Sequence, residues 1–465
     1  MEIENKSKKT ITDTLGFKMF LVFVLGLLLL IPMSLVSGVL RDRQNFQYEA
    51  TRSIIQPIGG EFSLYGLMIA IPYHYYEVID SNNDVRLSEK EQYNLDLYAT
   101  KDSPAPEKSE QYRKVTDYVI VMPQDYSVSG QIESSTLSRG IFKTPVFSSD
   151  MRIDSEFEAY CGDELADIDS ISFDDAVLIL ATGNRQNFTK LPEITVGNKK
   201  LEQYETATFS RIDIFDKSFV YKLNKDFLTT GFSANVTMNI QGGSAVHILP
   251  MAGNNTVNLD SCWGDVKFSG NWLPTNRTVS DDGFAATWEI AGFNTPFYGV
   301  NYLHELEYKG LETITTSFLL LNDNYTKISR SIKYAMLFIF IPFFALFLCE
   351  LLTKSKIHIV QYALIGLANV IFYMLLLSFS EHISFNASYC ISAVVVSITS
   401  SVYVWAITKT LKLGGIIIAV ELISYAFLFG VLQLTDFALL FGTIGLFLAV
   451  VVAMYFTRNI EKNLE

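Results

Sequence analysis

Apolar runs bracket this chain and limit the folds open to it. One run, Met19 to Leu40, stands alone near the N-terminus, and a polar stretch of several hundred residues follows. Five more runs then come in quick succession: Tyr334–Leu352, Ile357–Phe379, Tyr389–Ile407, Gly414–Leu434 and Phe437–Phe456. A helix needs about 20 apolar residues to cross a bilayer's hydrocarbon core, and each run is about that long. The expectation is a membrane α-helical protein with six predicted spans plus a large β-rich (α+β) extracytoplasmic domain. Its segments are 1–18 (N-terminus), 19–40 (first span), 41–333 (extracytoplasmic domain), 334–456 (five-helix membrane domain) and 457–465 (tail).

Charge divides the same way. Residues 41–333 hold 40 acidic and 26 basic side chains, whereas the rest holds 9 and 10. A net-acidic domain gives no electrostatic reason to bind nucleic acid. The lipid bilayer is the partner implied directly, with envelope components or other membrane proteins next.

Orientation follows from the short connections. Lys354 and Lys356, then Lys409 and Lys412, then Arg458 and Lys462 mark alternate loops, while 380–386 and 433–436 carry no Lys or Arg. This alternation obeys the positive-inside rule with both termini cytoplasmic. Arg41, Arg43, Lys327, Arg330 and Lys333 run against it, but long translocated domains are largely exempt from that count. The first run is preceded by Lys6, Lys8, Lys9 and Lys18. Its apolar core exceeds a signal peptide's ~7–15 residues and no Ala-x-Ala site follows, so it reads as a retained anchor.

The polar domain reads as β-rich. Met151–Phe157 alternates apolar and charged residues apart from Ser155, and Val236–Ile240 alternates throughout, the period of a strand with one buried face. Val119–Met122, Ala176–Ala181 and Thr313–Leu321 suit buried strands. Turn punctuation falls at Gly183-Asn184, Gly197-Asn198 and Gly242-Gly243. Residues 80–115, with Pro104-Ala-Pro106, read as an exposed loop, and no internal repeat is evident. Trp263, Trp272 and Trp288 read as core aromatics.

Segment by segment, the chain resembles the CreD inner-membrane family. The resemblance is carried by Gly66-Leu-Met-Ile-Ala-Ile-Pro72, Asn271-Trp-Leu-Pro-Thr-Asn-Arg277, Gly283-Phe-Ala-Ala-Thr-Trp288 and the approach from Lys333 through Cys349-Glu-Leu-Leu-Thr353. It continues in Gln361-Tyr-Ala-Leu-Ile-Gly-Leu-Ala, Phe372–His382 and Thr457-Arg-Asn-Ile460. Residues 86–260 contribute little to it. The resemblance implies an inner-membrane protein of the Gram-negative envelope, associated with envelope integrity, a two-component system, colicin tolerance and the β-lactam response. It implies a cellular setting and no reaction or cofactor.

Candidate functional residues are few. Glu350 lies near the cytoplasmic end of the second span, close enough to the interface to reach water or pair with Lys354 at i+4. Glu421 lies inside the fifth, about two turns from its start. An intramembrane carboxylate is expensive unless neutral or partnered, so either could be a proton or cation site between helices, the alternative for Glu421 being a structural hydrogen bond to a neighbouring helix, for example to a Ser or Thr of the Ser397–Ser401 stretch. Glu381 and His382 end the third span. Adjacent helix positions do not face one another, so with Ser380 they make no hydrolytic triad, and a metal would need further ligands. Polar capping is the simpler account. His358 opens the same span and reads as an interfacial residue or a pH sensor. His74, His247 and His304 are scattered, and no phosphate loop, HExxH or nucleophile elbow is present.

Cys161 and Cys262 lie in the polar domain and could pair if it is extracytoplasmic. Cys349 and Cys390 lie in spans and read as packing residues. Three functions therefore stand at this point: non-enzymatic sensing, binding or scaffolding; a transporter or lipid-handling protein; and a membrane enzyme, for which no nucleophile or metal set appears at a workable spacing.

Overall fold

The computed structural model describes residues 15–79, 85–87, 111–162, 171–197, 199–204, 217–295, 298–303, 313–320, 324–353, 357–434 and 438–457. The chain divides into two compact units, one of residues 1–49 with 322–465 and one of residues 50–321.

The helical unit begins with α1 (Leu15–Leu28) and α2 (Leu30–Ile55). They are separated only by Leu29, where Pro32 lacks the N–H that the Leu28 carbonyl would accept. The helix extends well past the apolar run expected to end at Leu40. After the β unit, whose own short helix α3 covers Lys225–Thr230, come α4 (Asn324–Lys333), α5 (Ala335–Thr353), α6 (Ile359–Ser380), α7 (Phe385–Thr408), α8 (Leu411–Gln433) and α9 (Ala438–Thr457). Among the described residues, four helices are long and apolar enough to cross a membrane: the Phe20–Ile58 stretch, α6, α7 and α8. A fifth arises if α4 and α5, bent by 45°, are one span. The expected count of six is thus met in part. All six apolar runs are helical, and α9 covers the last.

Small residues set the helix contacts, as in other membrane bundles. A Cβ at Gly366 of α6 would meet the Leu29 side chain and the Phe343 ring. At the crossing of α7 and α8, Ser401 Oγ donates to the Gly414 carbonyl at 2.9 Å.

The β unit contains two sheets that share one core. In the first, the order is Val266–Gly270, Ile314–Phe318, Ala245–Ile248, Phe62–Ile79, Gln111–Val121 and Val300–Tyr302, with Val85–Leu87, Val177–Thr182 and Phe219–Lys222 joined to that path. In the second, it is Asn276–Ser280, Gly283–Ala291, Asn254–Ser261, Asp125–Arg139, Phe142–Phe157, Phe232–Gly243, Glu193–Val196 and Lys199–Lys200. Side chains from both sheets, including Leu67, Ile69, Ile153, Val236 and the fully buried Trp288, form one hydrophobic cluster, the packing of a sandwich.

The 18-residue strand Phe62–Ile79 is apolar on both faces because both are covered. Leu67, Ile69 and Ile71 enter the shared core, while Met68 and Ala70 enter a second cluster with Ile120, Ile179 and Met251. Before Gly66 the core positions are the even ones, Phe62 and Leu64; after it they are odd. A bulge makes this switch: Leu64 pairs Thr182 and Gly66 pairs Ala181, so one extra residue is absorbed. Gly66 holds φ at +110°, which few side chains tolerate.

Several expectations hold. Met151, Ile153, Ser155 and Phe157 all point inward, so the one exception to the alternation is itself a core position. Others fail. Residues 80–84 and 88–110 lie outside the described residues, and the rest of 80–115 is not loop: Val85–Leu87 pairs antiparallel with Tyr76–Val78 and a strand begins at Gln111. Gly242-Gly243 ends a strand, and the turn is made by Ser244 at φ +66°.

Cys161 and Cys262 are free and exposed. The register explains why they do not meet. Glu156, Asp125 and Asn254 share one row across the sheet, so Cys262 lies eight residues beyond that row on its strand. That is about 26 Å at ~3.3 Å per residue, and the five residues from Glu156 to Cys161 cannot fold back far enough to bridge it.

Candidate functional site

Three side chains mark one level of the helical unit. Asn369 is the eleventh of 22 residues in α6, Ser397 the thirteenth of 24 in α7 and Glu421 the eleventh of 23 in α8. Each is buried, with Glu421 only 1% exposed. Because α8 starts at Leu411, three residues earlier than expected, Glu421 lies nearly three turns in, at the centre of the helix.

The antiparallel helices are tied above and below this level. Tyr389 OH donates to the Tyr425 carbonyl at 2.8 Å, and Ser401 binds Gly414 on the other side. Tyr425 OH donates to Asn369 Oδ1 at 2.8 Å, and Asn369 Nδ2 donates to the Ile365 carbonyl at 3.0 Å. Phe372 packs against Tyr425 and Tyr389, with ring centroids 4.4 and 5.3 Å apart.

Glu421 faces Ser397 and Ser400 of α7 and Asn369 of α6, yet neither of its oxygens makes a well-formed hydrogen bond among the described residues. The hydroxyls of Ser392, Ser397, Ser400 and Tyr373 are likewise buried without a partner. A buried polar group normally has one, so this concentration is unusual. Asn369 was not singled out in the sequence; its signal is an amide at the middle of an apolar run.

Glu350 is a different case. Lys18 of α1 pairs with one of its oxygens and also donates to the Ile357 carbonyl at 2.8 Å. Tyr362 OH donates to the other oxygen at 2.9 Å. The first helix thus supplies a cation to Glu350; Lys354 lies outside the described residues. Sequence proximity pointed to Lys354, and only tertiary structure brings residues 332 positions apart together.

At the opposite end of α6, Glu381 is the helix C-cap. It receives Arg43 at 3.4 Å and Tyr325 OH at 3.2 Å, and Asn324 Nδ2 donates to the Ser380 carbonyl at 2.8 Å. Glu381 therefore anchors α2 and α4 to the end of α6. His382 continues the chain with its backbone N–H on the Phe379 carbonyl. Among the described residues no group of three or more metal-ligating side chains occurs. His358 is the N-cap of α6: its Nδ1 accepts the Val360 N–H, and Gln361 Oε1 accepts the His358 N–H at 2.8 Å, a capping box. His304 lies outside the described residues.

The β unit offers a second candidate, on the open face of the eight-stranded sheet. Register aligns Asn254, Asp125, Glu156 and Ser233 in one row and Thr256, Ser127, Asp154 and Asn235 in the next. They line a depression of about 470 Å³. Asn254 Nδ2 donates to Asp125 at 2.8 Å, Arg152 pairs with Asp154 at 2.9 Å, and Asn235 donates to Asp154. This surface presents short hydrogen-bonding groups at strand spacing, a chemistry of recognition.

Among solved structures, the chain has a TM-score of 0.25 and 8% identity with a suspected nutrient binding protein of Legionella pneumophila, covering 46% of this chain and 74% of that one. With the M1 zinc metallopeptidase of Deinococcus radiodurans the TM-score is 0.21 and identity 9%, covering 42% of each. Scores this low carry no argument. Inner membrane protein CreD of Escherichia coli (strain K12) is 27% identical over 458 residues, 96% of this chain and 93% of that protein. The family model for inner membrane protein CreD matches residues 14–463, spanning both the helices and the intervening sheets, and the chain thus belongs to the CreD family.

Proposed function

We propose that this CreD-family protein is a multi-pass component of the bacterial inner membrane that contributes to envelope integrity by binding. In this reading, six segments cross the bilayer, both termini face the cytoplasm, and the β unit lies in the periplasm. The unit recognises a polar envelope component and catalyses no reaction. The alternating lysine-bearing loops support the orientation, and the six helical apolar runs support the span count.

One observation carries the binding reading: two rows of hydrogen-bonding side chains, aligned across four neighbouring strands, surround a 470 Å³ depression. A flat array of carboxylates, amides and hydroxyls suits a hydroxyl- and amide-rich polymer such as a glycan strand. The test is co-sedimentation of the full-length protein, in nanodiscs, with purified peptidoglycan sacculi. Retention is expected, and Asp154→Ala with Asn235→Ala lowers it at least about fivefold while circular dichroism is unchanged. Failure of the wild type to sediment, or equal retention of the variant, removes this reading.

A second reading, a transporter or lipid-handling protein, is favoured by the unpartnered carboxylate at the centre of α8.

A further inference from the structure

Glu421 is the buried group that envelope binding leaves without a purpose. At the centre of a membrane-spanning helix, a bare carboxylate is strongly disfavoured and must be neutralised or solvated. Among the described residues no basic side chain forms an ion pair with it; its neighbours are neutral oxygen and amide groups. The titratable groups on the helices around it are Tyr362 and Tyr373 of α6, Tyr389, Cys390 and Tyr403 of α7 and Tyr425 of α8. Lys409 caps the end of α7 and Lys412 lies in the first turn of α8, Lys327, Arg330 and Lys333 lie on α4, and Tyr455 lies near the end of α9. On α5, Phe338, Ile339, Phe343 and Leu346 are buried and apolar, Cys349 is a buried thiol, and Glu350 is held by Lys18 and Tyr362.

The serines supply a second, independent observation. In membrane helices a serine or threonine hydroxyl usually donates to the carbonyl four residues back. Ser388, Thr399 and Thr408 of α7 and Ser424 of α8 do so, at 2.7–3.0 Å. Ser392, Ser397 and Ser400 of α7 do not, although all are buried, and of these Ser397 and Ser400 face Glu421. Their hydroxyls are left for Glu421, giving four oxygens from two helices with Asn369 of a third beside them.

We propose that Glu421, Ser397 and Ser400 form a binding site for one exchangeable monovalent cation, a proton or a sodium ion. One carboxylate supplies one negative charge, so a monovalent cation leaves the buried site neutral, whereas a divalent ion would leave a net charge. Hard oxygen donors suit both sources.

The test is carbodiimide labelling of the full-length protein in native membranes, read at the Glu421 peptide by mass spectrometry. Dicyclohexylcarbodiimide reacts with a protonated carboxyl in an apolar setting: the acid oxygen adds to the carbodiimide carbon and its proton passes to nitrogen. Labelling is followed from pH 5 to 9, in sodium chloride and in choline chloride of equal ionic strength. Labelling that falls with rising pH, alike in both salts, assigns a proton. Labelling that sodium but not choline suppresses assigns sodium. In either case Ser397→Ala with Ser400→Ala shifts the half-point at least about threefold in proton or sodium concentration, which a purely structural pair would not do. Labelling indifferent to both pH and sodium overturns the proposal. So does absence of labelling together with a carboxyl infrared difference spectrum, wild type against Glu421→Gln, that responds to neither variable. Sacculus binding is read separately, so the two proposals fail independently.

Discussion

At the scale of single residues, charge placement explains more than charge number. His247 contacts Glu61 through Nε2 at 3.0 Å and Thr315 Oγ1 through Nδ1 at 3.0 Å, linking three neighbouring segments of one sheet. The hydrogen bond from His247 holds the Glu61 carboxyl below its ordinary value of 4.5, against a smaller opposing effect of burial. A depressed carboxyl contributes stability above its unfolded pKa and loses it as pH falls through the folded value. Glu61→Gln is therefore expected to be less stable than wild type at pH 7, by under about 1 kcal/mol because the pair is partly solvated. The difference should shrink as pH falls below about 4.5 and be gone once pH is below the lowered folded value, as read by denaturant unfolding across pH. Lys18 and Glu350 form a less exposed pair, with side chains 28% and 14% exposed. Lys18→Met leaves Glu350 with only neutral donors among the described residues and should lower stability in detergent by about 1–3 kcal/mol. Adding Glu350→Gln should recover part of that loss, so a double-mutant cycle measures the coupling; additive effects would show there is none.

At the scale of elements, packing depends on a few positions where backbones approach closely. Gly366 lets α6 approach α5 and the break between α1 and α2, because a Cβ there would run into a Leu29 methyl and the Phe343 ring. Gly366→Leu should lower the thermal unfolding midpoint by the equivalent of about 1–3 kcal/mol, measured in detergent. Gly415, whose Cβ would meet nothing within 4 Å, serves as control. The strands were legible where one face is buried and the other wet, as in Met151–Phe157, because period-two alternation reports burial directly. The strand Val85–Leu87 was not, since a three-residue strand within a polar segment carries no period. The bulge at Gly66 was not either, since only the change of core parity reveals it.

At the scale of the whole molecule, the β unit's two free, exposed thiols offer a direct test of its side of the membrane. A membrane-impermeant maleimide applied to spheroplasts should label Cys161 and Cys262 as fully as in lysed cells, and leave Cys349, buried in α5, unreacted. Labelling only after lysis would place the β unit inside the cell and reverse the orientation. Because the register holds the two thiols far apart, dithiothreitol should not change the electrophoretic mobility of the monomer.

Apolar run length and loop charge alone established a membrane protein with a large polar insert after its first helix, because hydrocarbon tolerates only long apolar helices and this rule acts on each segment separately. Glu421 was legible for the same reason: one charge stands out in an apolar run. Its surroundings were not. That Ser397, Ser400 and Asn369 share its level, that Lys18 reaches Glu350, and that Arg43 reaches Glu381 depend on which helices adjoin and how they are rotated. Those choices are made by side-chain packing between distant segments, a pairwise property that no single segment carries.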